Sequence, residues 1–375
     1  MEIPAENGRL LVSKLGRHIQ KIRFLLELWR ISLRKRKMME LSRPFHRSKQ
    51  QWCSLEKRAT RRLTMKAKVL LTIIGTVAAM LVVLLVCAAG QVADKYPRNV
   101  AQTKAGPIEY TLLGQGPVVL RLTGSMDDCE SSGGNEALLA AGFSILTPSR
   151  PGYGKTPLSV GRTAPEAADA MAALMDTLGI SNANVIAESS GGPTAIYLAA
   201  RHPERVRKLV LEEAVSKYMK DVDPKGFETR KKFYDSQYGY MRYLLKILAR
   251  VAPRSLARVT MSIFGTHDPD EAVKRMSKAD IDGLCSFYLR WQSSWGQAAS
   301  NDMDQAAEDA VLNSTKAPTL IVHSRGDAAI PFAVAEYSHA NIAGSELWEA
   351  PTWSHMISGP GAAVVDTKVV EFLKK

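Results

Sequence analysis

From about residue 106 onward, short apolar runs alternate with stretches of helical period. The runs IEYTLL, VVLRLT, FSILTP, NVIAE, RKLVLEE, PTLIVHS and SELWEA are rich in β-branched and aliphatic residues. Several are apolar on every position, the pattern of strands covered on both faces. Between most of them, helical spacing of small and apolar residues predicts helices near Thr163–Leu178, Thr194–Arg201, Pro331–Ala340 and Ala362–Leu373. Strands alternating with helices mean a mainly parallel α/β sheet. From about Val215 to Leu312 the alternation gives way to a long basic and aromatic helical region, an insertion of the length expected for a cap. The expected organisation is therefore a core of residues 106–214 and 313–375, interrupted by a helical cap at 215–312 and preceded by a polar connector at 91–105.

The chain ahead of the connector has a different texture. Val69 to Gly90 is an uncharged, apolar run of the length that spans a bilayer as one helix, about 20 residues. A cleavable signal peptide is the alternative, but its apolar core usually covers only about 7–15 residues. Cys87 follows the bulky Val86, which suits lipoprotein processing badly. Arg58, Arg61, Arg62, Lys66 and Lys68 crowd the front edge of the run, so the rest of the chain is expected outside the cytoplasm.

Charge adds to this picture once it is located. The 375-residue chain carries a net +13, yet residues 1–68 hold 19 Lys and Arg against 5 Asp and Glu, and the remainder is close to neutral. The basic head carries Ile19, Ile22, Leu25, Leu26, Trp29 and Leu33 at helical spacing, which suits a helix lying on anionic lipid. Alternatively the head has no role, because MKAKVLL from Met65 already resembles the start of an anchored protein. A basic segment adjoining a span is explained by the membrane, so no nucleic-acid partner is expected. Cys129 and Cys285 give no disulfide framework and are expected to be free.

The segment NVIAESSGGPTAIYLAA carries the candidate chemistry. The strand ends near Glu188 and a helix begins within a few residues, which puts Ser189 in the turn with its hydroxyl exposed. Pro193 is tolerated in a first helical turn because its missing N–H would be unpaired there. This matches the strand–turn–helix nucleophile pattern Gly-x-Ser-x-Gly, with Ala187 at the first glycine. Ser190 falls on the wrong register to be a nucleophile, but its N–H at the helix start is a natural donor to a developing oxyanion. Downstream, Asp327 falls in the turn after PTLIVHS and His355 in the loop after SELWEA. Ser189, Asp327 and His355, in that order and each after a separate strand, form a candidate catalytic triad. Glu213, at the end of RKLVLEE, is a minor alternate for the acid.

On these residues the chain from about Ile108 to Leu373 resembles the α/β-hydrolase superfamily. GQGPVVLRLTGS is similar to that family's third strand and oxyanion loop, and TPSRPGYGKTP to its segment after the fourth strand. The resemblance implies a roughly eight-stranded, mostly parallel sheet with a helical cap, and Ser189, Asp327 and His355 as catalytic residues. It places the second oxyanion donor at the amide of Ser125, with Met126 as alternate. One departure stands out: the family's His-Gly is replaced by Thr123-Gly124, with Thr123 expected to take over the histidine's role in organising the loop. A serine nucleophile points to carboxylic ester hydrolysis of a small molecule. A proline-iminopeptidase-like action on short peptides, or a hydrolase-shaped binding protein with little activity, are the alternatives. The aromatics Phe227, Phe233, Tyr234, Tyr238, Tyr240, Tyr243, Phe287, Tyr288, Trp291 and Trp295 are candidates to line an acyl pocket or to form the cap's core. No metal or organic cofactor is implied.

Overall fold

The structure, a computed structural model, describes residues 58, 65–81, 94–130, 135–235, 239–264, 268–292, 295–351, 355 and 362–375. The chain divides into two units, Met1–Ala78 and Ala79–Lys375. Residues 65–81 are helical, and their apolar side chains are exposed, Leu71 by 67% and Met65 by 62%. Among the described residues no helix is long and apolar enough to cross a membrane. The span expected at 69–90 runs on through residues 82–90, which lie outside the described residues, as does the basic helix expected near Ile19–Leu33.

The larger unit is built on one eight-stranded sheet. Its strands are β1 (Asn99–Thr103), β2 (Gly106–Leu113), β3 (Val118–Leu122), β4 (Ser144–Pro148), β5 (Ala183–Glu188), β6 (Val206–Glu212), β7 (Thr319–His323) and β8 (Glu346–Glu349). They lie in the order β1-β2-β4-β3-β5-β6-β7-β8. β1 and β2 are antiparallel to their neighbours, and every pairing from β4 to β8 is parallel. All seven apolar runs of the sequence are strands. β1 was not anticipated, and it falls within the segment expected to be a polar connector: NVAQT has one buried side chain, Ala101, and so offers no run to read.

The helices of the core are α1 (Asn135–Ala140), α2 (Ala164–Thr177) and α3 (Gly192–Arg201). The cap follows as α4 (Met219–Val222), α5 (Pro224–Asp235), α6 (Gly239–Val251), α7 (Pro253–Phe264), α8 (Pro269–Arg275), α9 (Lys278–Arg290) and α10 (Trp295–Met303). The chain returns to the core as α11 (Asp309–Ser314), α12 (Ala333–Asn341) and α13 (Ala362–Lys374). Thr163 starts α2 with a reciprocal capping box, its hydroxyl on the Glu166 amide and the Glu166 carboxylate on the Thr163 amide.

Alternate strand residues go to opposite faces, as the pleat requires. Leu120, Leu122, Val185, Ala187, Leu209, Leu211 and Ile321 face the core under α2, α3, α11 and α12. Val119, Ile186, Val210, Leu320 and Val322 face the core under α1 and α13. Each such aliphatic side chain contributes about 1.5–3 kcal/mol on burial, which explains why these runs lack a polar face. Ala307 and Leu312 also belong to the core, so the cap ends earlier than the expected boundary at 312.

Candidate active site

Parallel strands deliver their C-terminal ends to one edge, and there the three residues singled out in the sequence meet. Ser189 follows β5 directly, and its backbone is left-handed, with φ +48°. A serine in that region costs about 1–2 kcal/mol, and the elbow is held there by close approach on both sides. A Cβ at Gly191 would meet the Leu122 carbonyl oxygen at 2.5 Å, and one at Gly192 the Val215 carbonyl oxygen at 2.3 Å. Ala187 is fully buried within β5, consistent with a position that admits only a small side chain.

His355 Nε2 lies 3.0 Å from Ser189 Oγ, and its Nδ1 lies 2.8 Å from Asp327 Oδ2. Asp327 also forms the turn after β7: its Oδ1 accepts from the amides of Ala329 and Ile330, at 2.7 and 2.8 Å. One carboxylate oxygen therefore shapes the loop while the other faces the histidine. His323, at the end of β7, approaches Asp327 Oδ2 at 3.3 Å and the Ile330 carbonyl at 2.8 Å. Burial pushes the Asp327 carboxyl up, but the charge of His355 and hydrogen bonds from His323 and His355 outweigh it. The net effect holds Asp327 well below the ordinary carboxylate range.

Glu213 presents a contrasting carboxyl. It sits just past β6 with φ +46°, and its Oε2 is 3.8 Å from His355 Nδ1, outside hydrogen-bonding reach. Burial, and after it the neighbouring Asp327 charge, push its pKa well above the ordinary value. The structure thus brings both candidate acids to the histidine but makes hydrogen-bonding contact only through Asp327. One ligand atom each from Glu213, Asp327 and His355 lie within 4.8 Å of one another, a spacing that could hold a metal ion. His355 Nδ1 is already engaged by Asp327 Oδ2, at 2.8 Å.

The Thr123–Met126 loop packs directly on the elbow: a Cβ at Gly124 would lie 3.1 Å from Ser189 Cβ. Thr123 does not organise the loop in the way expected. Its hydroxyl is buried without a partner among the described residues, and it is the Thr123 carbonyl that is held, by Arg150 Nε at 2.6 Å. Arg150 belongs to the RPGYG segment, and its Nη1 and Nη2 form a two-pronged ion pair with Asp302 of α10, both at 2.8 Å. Ser125 Oγ is 2.7 Å from Asp302 Oδ2 and 2.7 Å from Ser190 Oγ. Sequence reasoning missed Arg150 and Asp302. The arginine lay in a quoted motif, whereas a lone acid in a cap helix carries no signal.

The cap's aromatics divide. Tyr234, Tyr288, Trp291 and Trp295 are buried in the cap's own core, with Phe233 and Phe287 against it. Phe227 joins Met219 and Ile330 in a separate cluster, and Tyr243 is exposed. Tyr238 and the Tyr240 side chain lie outside the described residues. Most of the stripe is therefore packing. Cys129 and Cys285 are free and buried.

A family model described as the alpha/beta hydrolase fold matches residues 122–362. The chain is 31% identical over 275 residues to the uncharacterized hydrolase YcgS of Bacillus subtilis, covering 72% of this chain and 95% of that protein. It is 26% identical to 2-hydroxy-6-oxononadienedioate/2-hydroxy-6-oxononatrienedioate hydrolase 2 of Pseudomonas putida, over 71% of this chain and 91% of that one. Against a pimeloyl-[acyl-carrier protein] methyl ester esterase of Neisseria meningitidis the identity is 28%, over 56% of this chain and 61% of the esterase. Among solved structures, an alpha/beta hydrolase fold protein from Nakamurella multipartita superposes with a TM-score of 0.61 at 30% identity, covering 74% of this chain and 99% of that one. With its sheet order, elbow and matched region taken together, the chain belongs to the alpha/beta hydrolase fold family.

Proposed function

We propose that this protein is a serine hydrolase that cleaves a carboxylic ester of a small molecule through an acyl-enzyme on Ser189. The observation that carries this reading is His355, which bridges Ser189 Oγ at 3.0 Å and Asp327 Oδ2 at 2.8 Å. In this scheme His355 Nε2 takes the Ser189 proton as Oγ attacks the ester carbonyl, while Asp327 holds the histidine tautomer and balances the imidazolium. The oxyanion faces the amides of Ser190 and Ser125. His355 then gives the proton to the leaving alkoxide as the C–O bond breaks; a water deprotonated by the same nitrogen attacks the acyl carbon, and Ser189 Oγ takes that proton back as its bond to the acyl group breaks and the acid leaves. All of these steps use side chains and amides of this chain alone.

Relatives named as hydrolases and an esterase agree with this reaction class. The reading is tested with p-nitrophenyl esters of increasing acyl length. Turnover lost in Ser189→Ala and retained in Ser190→Ala supports it. Turnover untouched by Ser189→Ala would sink it.

We also propose a membrane anchor at residues 69–90, with the hydrolase unit outside the cytoplasm. The uncharged run, its basic front edge and the exposed apolar side chains of residues 65–81 support it. Full-length protein should stay with membranes through alkaline carbonate washing and be cleaved by protease added outside; release by carbonate would contradict an anchor.

A further inference from the structure

The oxyanion loop of this protein is fastened by its cap. Asp302, on α10, is buried and accepts four hydrogen bonds: Arg150 Nη1 at 2.8 Å on Oδ1, and on Oδ2 Arg150 Nη2 at 2.8 Å, Tyr153 Oη at 2.7 Å and Ser125 Oγ at 2.7 Å. A carboxylate ion-paired in this way can only accept, so the single hydroxyl proton of Ser125 goes to Asp302. The 2.7 Å contact between Ser125 Oγ and Ser190 Oγ must then have Ser190 as its donor. The result is a directed chain, Ser190 to Ser125 to Asp302, that ties together the two residues whose amides would face the oxyanion.

Other contacts fix the same loop from the cap side. Met126, with φ +66°, buries its side chain in the cap core beside Tyr153 and Trp295. Arg290 of α9 reaches Asp127 Oδ1 at 3.2 Å. Arg150, held by Asp302, grips the Thr123 carbonyl at 2.6 Å. The loop is therefore fixed at Thr123, Ser125, Met126 and Asp127, and at all but Thr123 by groups the cap itself supplies.

We propose that Asp302 is the positioning residue of the oxyanion hole, so that the hole is complete only while the cap is seated. The proposal rests on the serine-hydrolase reading above. Asp302 does not touch the reacting atoms; it acts through the Ser125 hydroxyl, with Arg150 as its counter-charge. The cap thus supplies the loop organisation that the Thr123-Gly124 sequence does not.

Removing Asp302 outright leaves Arg150 buried without a counter-charge, which is strongly destabilising, so the decisive variant is Ser125→Ala in the full-length protein. It cuts the hydroxyl link while keeping the Ser125 amide and the Arg150–Asp302 pair. We expect kcat to fall about 10- to 100-fold, a part of the 10²–10³ seen when a donor is lost altogether. KM and Tm should change little, and a boronic acid that forms a tetrahedral adduct should lose affinity by the same factor as kcat. Ser125→Thr, which restores a hydroxyl, should recover most of the loss. If Ser125→Ala leaves kcat and boronate affinity within twofold while Ser189→Ala abolishes turnover, Asp302 is a structural ion pair and the positioning role is wrong. If Ser189→Ala leaves turnover intact, the serine-hydrolase reading fails and takes this proposal with it.

Discussion

Two carboxyls approach the same histidine nitrogen, and substituting each by its amide separates their roles. In Asp327→Asn, the amides of Ala329 and Ile330, at 2.7 and 2.8 Å from Oδ1, fix the side chain's orientation because they require an acceptor there. The new NH2 then occupies the Oδ2 position, 2.8 Å from His355 Nδ1. Two donors cannot share that contact, so Nδ1 becomes the acceptor and Nε2 carries the proton. A protonated Nε2 cannot take the Ser189 proton. The expected loss in kcat is on the order of 10⁴, which corresponds to about 5.4 kcal/mol of transition-state stabilisation. Glu213→Gln alters a carboxyl whose pKa burial pushes up and which makes no hydrogen bond to the ring, with 3.8 Å to Nδ1; kcat should stay within about threefold. Steady-state ester hydrolysis of both variants at neutral pH, with folding checked by circular dichroism, decides the matter. A hundredfold loss in Glu213→Gln with Asp327→Asn still active would refute the assignment and make Glu213 the acid.

Further outcomes follow from the same geometry. Burial and the Asp327 charge hold the Glu213 pKa in the fold well above its unfolded value of about 4.3. Wild-type stability should therefore fall as pH rises above that value, and thermal melts should show the Tm advantage of Glu213→Gln widening as pH rises from about 4.3; a constant gap would contradict this. The left-handed backbone of Ser189 predicts that Ser189→Gly melts above Ser189→Ala by about 1 kcal/mol, because only glycine relieves the strain; equal melting would show the elbow unstrained. Gly192→Ala drives a methyl group to within 2.3 Å of the Val215 carbonyl and should cost about 1–3 kcal/mol, visible as a lower urea midpoint in full-length protein.

The sheet was legible because β3 to β7 each bury aliphatic side chains on two faces, leaving runs without polar alternation. β1 was not, since as an edge strand with one buried side chain it looks like a connector. The elbow and its partners could be read from local chemistry: a small-residue strand-to-helix turn, an aspartate in a turn and a histidine in a loop, each after a strand. What could not be read depends on contacts across long stretches of sequence. Asp302 is 152 residues from the Arg150 it pairs with and 177 from Ser125. Nothing local in SNDMDQ distinguishes it from the other acids of the cap. Thr123 was given the missing histidine's role because sequence shows only what stands at a position; the carbonyl grip of Arg150 appears only when β3 and the RPGYG turn are side by side.

The account stands or falls on a covalent intermediate at Ser189. Rapid acid quench of full-length protein mixed with an activated ester, followed by peptide mass spectrometry, reads it directly. The prediction is an acyl mass on the peptide containing Ser189, absent from Ser189→Ala and accumulating in a burst before steady turnover. Hydrolysis with no acyl adduct, or an adduct that persists in Ser189→Ala, would contradict it.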